Sequence, residues 1–115
     1  MAQTMYLQSV VCVDTQETGH DEVYIKYSID GGSVKRYPSS GYKSMNDKDN
    51  NPWITNLQLT FNQTVRVELW DDDTTSDDLI GSHTYQSSDA PYTESNLITN
   101  SDGSRYVLVS GSKVK

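Results

Sequence analysis

Residues 65–82 read VRVELWDDDTTSDDLIGS, a strand-like run that ends in five carboxylates within eight residues and restarts with Leu79, Ile80 and Gly81. From 65 to 70 the side chains alternate, with Val65, Val67 and Leu69 on one face and Arg66, Glu68 and Trp70 on the other, as a half-buried strand requires. The acidic run is therefore a loop at a strand end. Two carboxylates about 4 Å apart repel by roughly 1 kcal/mol in water and about 4 kcal/mol near a protein surface, so five together need compensation. A bound divalent cation is the simplest one.

The rest of the chain repeats this pattern on a smaller scale. Alternating stretches at 6–13, 23–29, 33–37, 54–61, 65–70, 80–85 and 105–110 are separated by turn residues, and no segment sustains a helical period. Asp30-Gly31-Gly32 is a hairpin signal, because glycine reaches the positive φ of a tight primed turn, so the second and third strands should pair antiparallel. Seven or eight short strands in 115 residues suit a two-sheet antiparallel sandwich, read as one domain over 1–115. The polar stretch 38–51 is the one expected irregular region.

Composition limits the partners. A net charge of −7 argues against nucleic acid, and against an anionic membrane as a direct partner unless cations intervene. The only cysteine, Cys12, sits in an apolar run and reads as a small buried hydrophobe. There is no apolar signal region and no run of 18 apolar residues, which reads as a soluble chain with the cytoplasm favoured.

Asp71, Asp73 and Asp78 form the centre of the acidic loop, and hard oxygen ligands of this kind suit Ca²⁺, which takes six to eight oxygens in flexible geometry, better than Mg²⁺. Asp14, Glu17, Asp21 and Glu22 bracket the turn between the first two strands. Asp47 to Asn51 opens like an EF-hand, but Pro52 stands where the glycine belongs and Gln58 where the bidentate Glu belongs; the loop from Asp71 meets Ser82 at its twelfth position. Neither is an EF-hand.

Catalysis finds little support: His20 and His83 are far apart in sequence, Cys12 is expected to be buried, and no serine lies in a nucleophile elbow. The chain reads as a non-enzyme. Tyr37, Tyr42, Trp53, Tyr85 and Tyr92 are candidate platforms for a sugar beside a metal, although Trp53 and Trp70 are expected to pack in the core.

Four stretches, in order, resemble the C2 family of calcium-binding domains. They are His20-Asp21-Glu22-Val23-Tyr24-Ile25-Lys26, Asn51-Pro52-Trp53 with Phe61, Leu69-Trp70-Asp71-Asp72-Asp73 through Asp78-Leu79-Ile80-Gly81, and Tyr106-Val107-Leu108. The resemblance implies an eight-strand antiparallel C2-like sandwich. It also implies Ca²⁺ ligation by Asp21, Asp71, Asp73 and Asp78, with a first-loop donor that is Asp14, Glu17 or a carbonyl. Many relatives dock on phospholipid through Ca²⁺ with apolar or basic loop tips, whereas the tips here are Thr15 to Gly19 and Thr74-Thr75-Ser76, so membrane insertion is not expected. Lys35, Arg36, Lys43 and Lys48 fall where some relatives hold a lipid-binding basic strand. The implied function is a Ca²⁺-binding module whose ordered loops meet a protein, a glycan or a lipid headgroup. The alternative is an assembly protein in which Ca²⁺ only stiffens loops and strand edges self-associate.

Overall fold

Along the strand that carries the acidic run, Val65, Val67 and Leu69 are wholly buried and Arg66 is exposed, so the alternation read in the sequence is the alternation of the fold. The computed structural model describes residues 2–15, 20–46 and 52–115. Among them the strands are β1 (Gln3–Asp14), β2 (Asp21–Ile29), β3 (Val34–Tyr37), β4 (Lys43–Met45), β5 (Trp53–Phe61), β6 (Thr64–Asp71), β7 (Asp78–Gln86), β8 (Thr93–Thr99) and β9 (Arg105–Gly111), with one 3₁₀ turn at Ser87–Asp89. All paired strands are antiparallel. One sheet runs β5-β1-β9-β8; the other runs β3-β2-β6-β7, with β4 also on β2.

The strand count is nine among the described residues, against the expected eight, and two strands lie where none was read. β4 is three residues long and buries only Met45, within the stretch expected to be irregular. β8 is an edge strand, TESNLIT, in which Ile98 alone is buried, so no clean apolar alternation marks it. The acidic loop is also shorter than the acidic run: Asp71 closes β6 and Asp78 opens β7.

The hairpin between β2 and β3 forms as expected, with Ile25 paired to Tyr37 and Ser28 to Val34. Its positive-φ residues are Asp30 (50°) and Gly31 (72°), the two central positions of a primed turn closed by the Gly32 amide on the Ile29 carbonyl at 2.8 Å. The Asp30 side chain then accepts the amides of Asn62, Gln63 and Thr64 at 2.9, 2.6 and 3.0 Å, fastening this turn to the β5–β6 turn. These donors hold its carboxyl below the usual carboxylate range.

The core lies between the sheets. Met5, Leu7, Leu59, Phe61 and Leu108 from one side meet Val23, Ile25, Val65, Val67, Leu69 and Ile80 from the other, all essentially inaccessible to water. Each such side chain contributes about 1.5 to 3 kcal/mol on burial. Cys12 is buried, as its apolar neighbours suggest. Of the tryptophans, Trp53 is half-buried at the core's edge, stacked on Tyr37 with ring centres 5.9 Å apart. Trp70 departs from the expected core role: it lies on the outer face, with the Lys26 ammonium 4.4 Å from its ring centre.

Candidate metal centre

The parity that buries Val65, Val67 and Leu69 continues to Asp71, and the parity that buries Ile25 and Val23 continues back to Asp21. Both carboxylates therefore point between the sheets, and both are 0% exposed. The pairing of β2 with β6 sets Val23 opposite Asp71. One step on, the Asp72 amide donates to the Glu22 carbonyl at 2.7 Å, which carries Asp73 towards Asp21. On the other side of β6, Asp78 is the register partner of Asp71. Thus the topology brings Asp21, Asp71, Asp73 and Asp78 to one end of the five-stranded sheet.

Protein donors meet these groups. The Tyr106 hydroxyl, on β9 of the opposite sheet, donates to Asp21 Oδ2 at 2.5 Å, and Tyr106 is itself 0% exposed. Burial first, then this bond and the Asp21 charge, push the Tyr106 hydroxyl far above the ordinary phenol range, so it keeps its proton and remains a donor. The Glu22 amide donates to Asp71 Oδ1 at 2.8 Å. Asp73 Oδ1 accepts the Thr74 amide at 2.7 Å, while the Asp73 amide donates to Asp77 Oδ1 at 3.1 Å. Asp77 Oδ2 takes the hydroxyl of Tyr24, and these two donors hold the Asp77 carboxyl below the usual range.

Asp14 lies apart from this group at the end of β1 in the other sheet, where Arg105 forms an ion pair with it and donates from Nε at 2.6 Å. Among the described residues, no three His, Cys, Asp or Glu side chains are grouped closely enough to hold a metal ion. Asp21, Asp71, Asp73 and Asp78 are all carboxylates, the hard oxygen donors that suit a hard cation. Glu17, and the segment 47–51 tested against the EF-hand pattern, lie outside the described residues.

Several side chains at this end had no assigned role in the sequence reading. Tyr106 was legible only as the aromatic of a closing strand, because nothing in the sequence shows which residue faces it across the sandwich. Asp77 and Tyr24, 53 residues apart, were hidden for the same reason. Among the candidate sugar platforms, Tyr85 and Tyr92 are core residues at 0% and 1% exposure, while Tyr42 is exposed. Arg36 is already engaged, its guanidinium 4.0 Å from the Tyr24 ring centre and bonded to the Pro38 and Gly41 carbonyls at 2.7 and 2.8 Å. Lys35 and Lys43 are exposed, and Lys48 is outside the described residues.

No family model and no curated protein matches the chain. Solved structures do. A structure described as that of a C2 domain superposes with a TM-score of 0.56 at 22% identity, covering 96% of each chain. The chain has a C2-like fold. Human GIVD cytosolic phospholipase A2, in complex with methyl gamma-linolenyl fluorophosphonate and terbium chloride, matches with a TM-score of 0.53 at 14% identity. That match covers 95% of this chain and 17% of the phospholipase. The same enzyme with the fluorophosphonate alone gives 0.53 at 12% identity, again over 17% of its length. At these identities the likeness establishes the C2-like sandwich and its antiparallel layers. No helix among the described residues is long and apolar enough to cross a membrane.

Proposed function

We propose that the chain is a non-catalytic, Ca²⁺-binding C2-like module whose acidic end becomes ordered on the ion and there meets a partner with polar chemistry: a protein, a glycan or a lipid headgroup. The observation that carries this reading is the complete burial of Asp21 and Asp71 on adjacent strands of one sheet end, with Asp73 and Asp78 beside them. Removing carboxylates from water is costly unless their charge is met. A divalent cation supplies charge compensation as well as coordination.

Asp21, Asp71, Asp73 and Asp78 would hold the ion, and Asp14 would join by exchanging Arg105 for it. When bound, the ion neutralises the acidic end. The chain's own residues set its frame: Tyr106 fixes Asp21 from the opposite sheet, the Glu22 amide orients Asp71, and the Tyr24 hydroxyl with the Asp73 amide anchors Asp77 at the base of the loop. The loop tip, Thr74-Thr75-Ser76, is exposed and hydroxyl-bearing. It carries no apolar wedge, so contact with a membrane would be with headgroups and not with acyl chains.

Calorimetry with Ca²⁺ tests the reading on the parent and on an Asp71→Asn, Asp73→Asn double variant, with circular dichroism to check the fold. The parent should bind Ca²⁺ and the folded double variant should not. Equal binding by both would reject this ligand set, and no heat with the parent at about 1 mM Ca²⁺ would reject the metal reading, since protein Ca²⁺ sites span about nanomolar to millimolar affinity.

A further inference from the structure

Alternation along β1 points Val10 and Cys12 into the core, and carried one step further it would point Asp14 between the sheets as well, towards the end that holds Asp21 and Asp71. The strand breaks its alternation first. Cys12 pairs with Tyr106 and Asp14 with Arg105, so two steps along β1 answer one step along β9, and Val13, 40% exposed, is the extra residue of a β-bulge. A bulge re-aims the side chains beside it. Tyr106 points inward to Asp21, so its neighbour Arg105 points outward, and Asp14 follows its register partner to the outer face.

Arg105 holds it there. Its Nε donates to Asp14 Oδ2 at 2.6 Å, and Nη2 reaches the same oxygen. We infer that Arg105 is a tethered competitor of the metal ion: by holding Asp14 outward across the bulge, it keeps a carboxylate out of the calcium site and raises the calcium concentration at which that site fills. This rests on the calcium reading above and adds how the site is restrained. The Asp14 side chain cannot point outward to Arg105 and inward to the other carboxylates at once, so each cation excludes the other from it. The coupling is reciprocal, and calcium loosens the ion pair by the factor by which the pair weakens calcium.

Exposure sets the size of the restraint. With side chains 55% and 37% exposed, the Arg105–Asp14 pair is screened by water and weak. It should cost about two- to fivefold in calcium affinity, small enough to open when the ion arrives.

Calorimetry with Ca²⁺ on the parent, Arg105→Gln, Asp14→Asn and the double variant tests the inference, with circular dichroism to check each fold. Arg105→Gln should bind Ca²⁺ about two- to fivefold more tightly than the parent. Asp14→Asn removes the carboxylate for which the two cations compete, so adding Arg105→Gln to it should leave the affinity nearly unchanged. Equal affinities for the parent and Arg105→Gln would overturn the inference and leave the calcium reading standing. So would a gain of the same size in the Asp14→Asn background, the mark of charge removal alone. No binding by the parent or by Arg105→Gln at about 1 mM Ca²⁺ would overturn both. The NMR signal of the Arg105 Nε–H reports the pair directly. In a parent that binds calcium, saturation should move this signal to the position it takes in Asp14→Asn, and a signal that calcium leaves in place would overturn the inference.

Discussion

Replacing Tyr106 with Phe removes one oxygen and leaves the ring, so the change isolates the bond that ties the two sheets at the acidic end. The hydroxyl lies 2.5 Å from Asp21 Oδ2, and both residues are 0% exposed. A buried hydrogen bond to a carboxylate contributes about 1.5 to 3 kcal/mol, and the acceptor left behind is sealed from water. Tyr106→Phe should therefore cost about 2 kcal/mol in urea denaturation at pH 7 in EGTA, and lower the melting temperature by about 10 °C at this chain length. Asp21→Asn turns the acceptor into a neutral amide, so adding Tyr106→Phe to that background should cost about 1 kcal/mol less than it costs the parent. A cost below about 0.5 kcal/mol, or the same cost in both backgrounds, would refute the claim that this bond fastens the acidic end.

Two further outcomes test the frame. A Cβ at Gly81 of β7 would sit 2.0 Å from Ile98 Cγ2 on β8, so Gly81→Ala should destabilise by about 1 to 3 kcal/mol through overpacking. Combined with Ile98→Ala, it should cost less than the sum of the single changes in chemical denaturation. Asp30→Ala removes the acceptor for three amides and should lower the melting temperature at neutral pH. Because the folded Asp30 carboxyl is held below its usual range, its contribution is present above the unfolded value and is lost as pH falls through the folded one. The gap between parent and variant should therefore narrow as the pH falls below the usual carboxylate range, and a gap that is the same in acid as at neutral pH would contradict the assignment.

The strands with strong period-two patterns were legible in the sequence, as β6 shows from Val65 to Trp70, because burial on one face writes itself into alternate residues. β8 was not, since an edge strand with one buried residue needs no such pattern, and β4 is too short to show one. At the acidic end, Asp71, Asp73 and Asp78 stood out as the acidic run that follows β6, and Asp21 was singled out only by the resemblance of residues 20–26 to the C2 family. Register fixes which carboxylates share an end, and the facing sheet fixes who donates to them; neither is local information. Asp14 shows the limit most plainly, since its partner Arg105 is 91 residues away.

The most direct test of the calcium-module reading is a thermal melt of the purified protein in EGTA and again in about 1 mM free Ca²⁺, with Mg²⁺ as control. Saturation at about 100 times Kd adds roughly 2.7 kcal/mol to the native state, which at this size raises the melting temperature by about 10 °C. A rise of that order with Ca²⁺ and not with Mg²⁺ is the expected result. Coincident melts in all three conditions would mean that Asp21, Asp71, Asp73 and Asp78 hold no calcium.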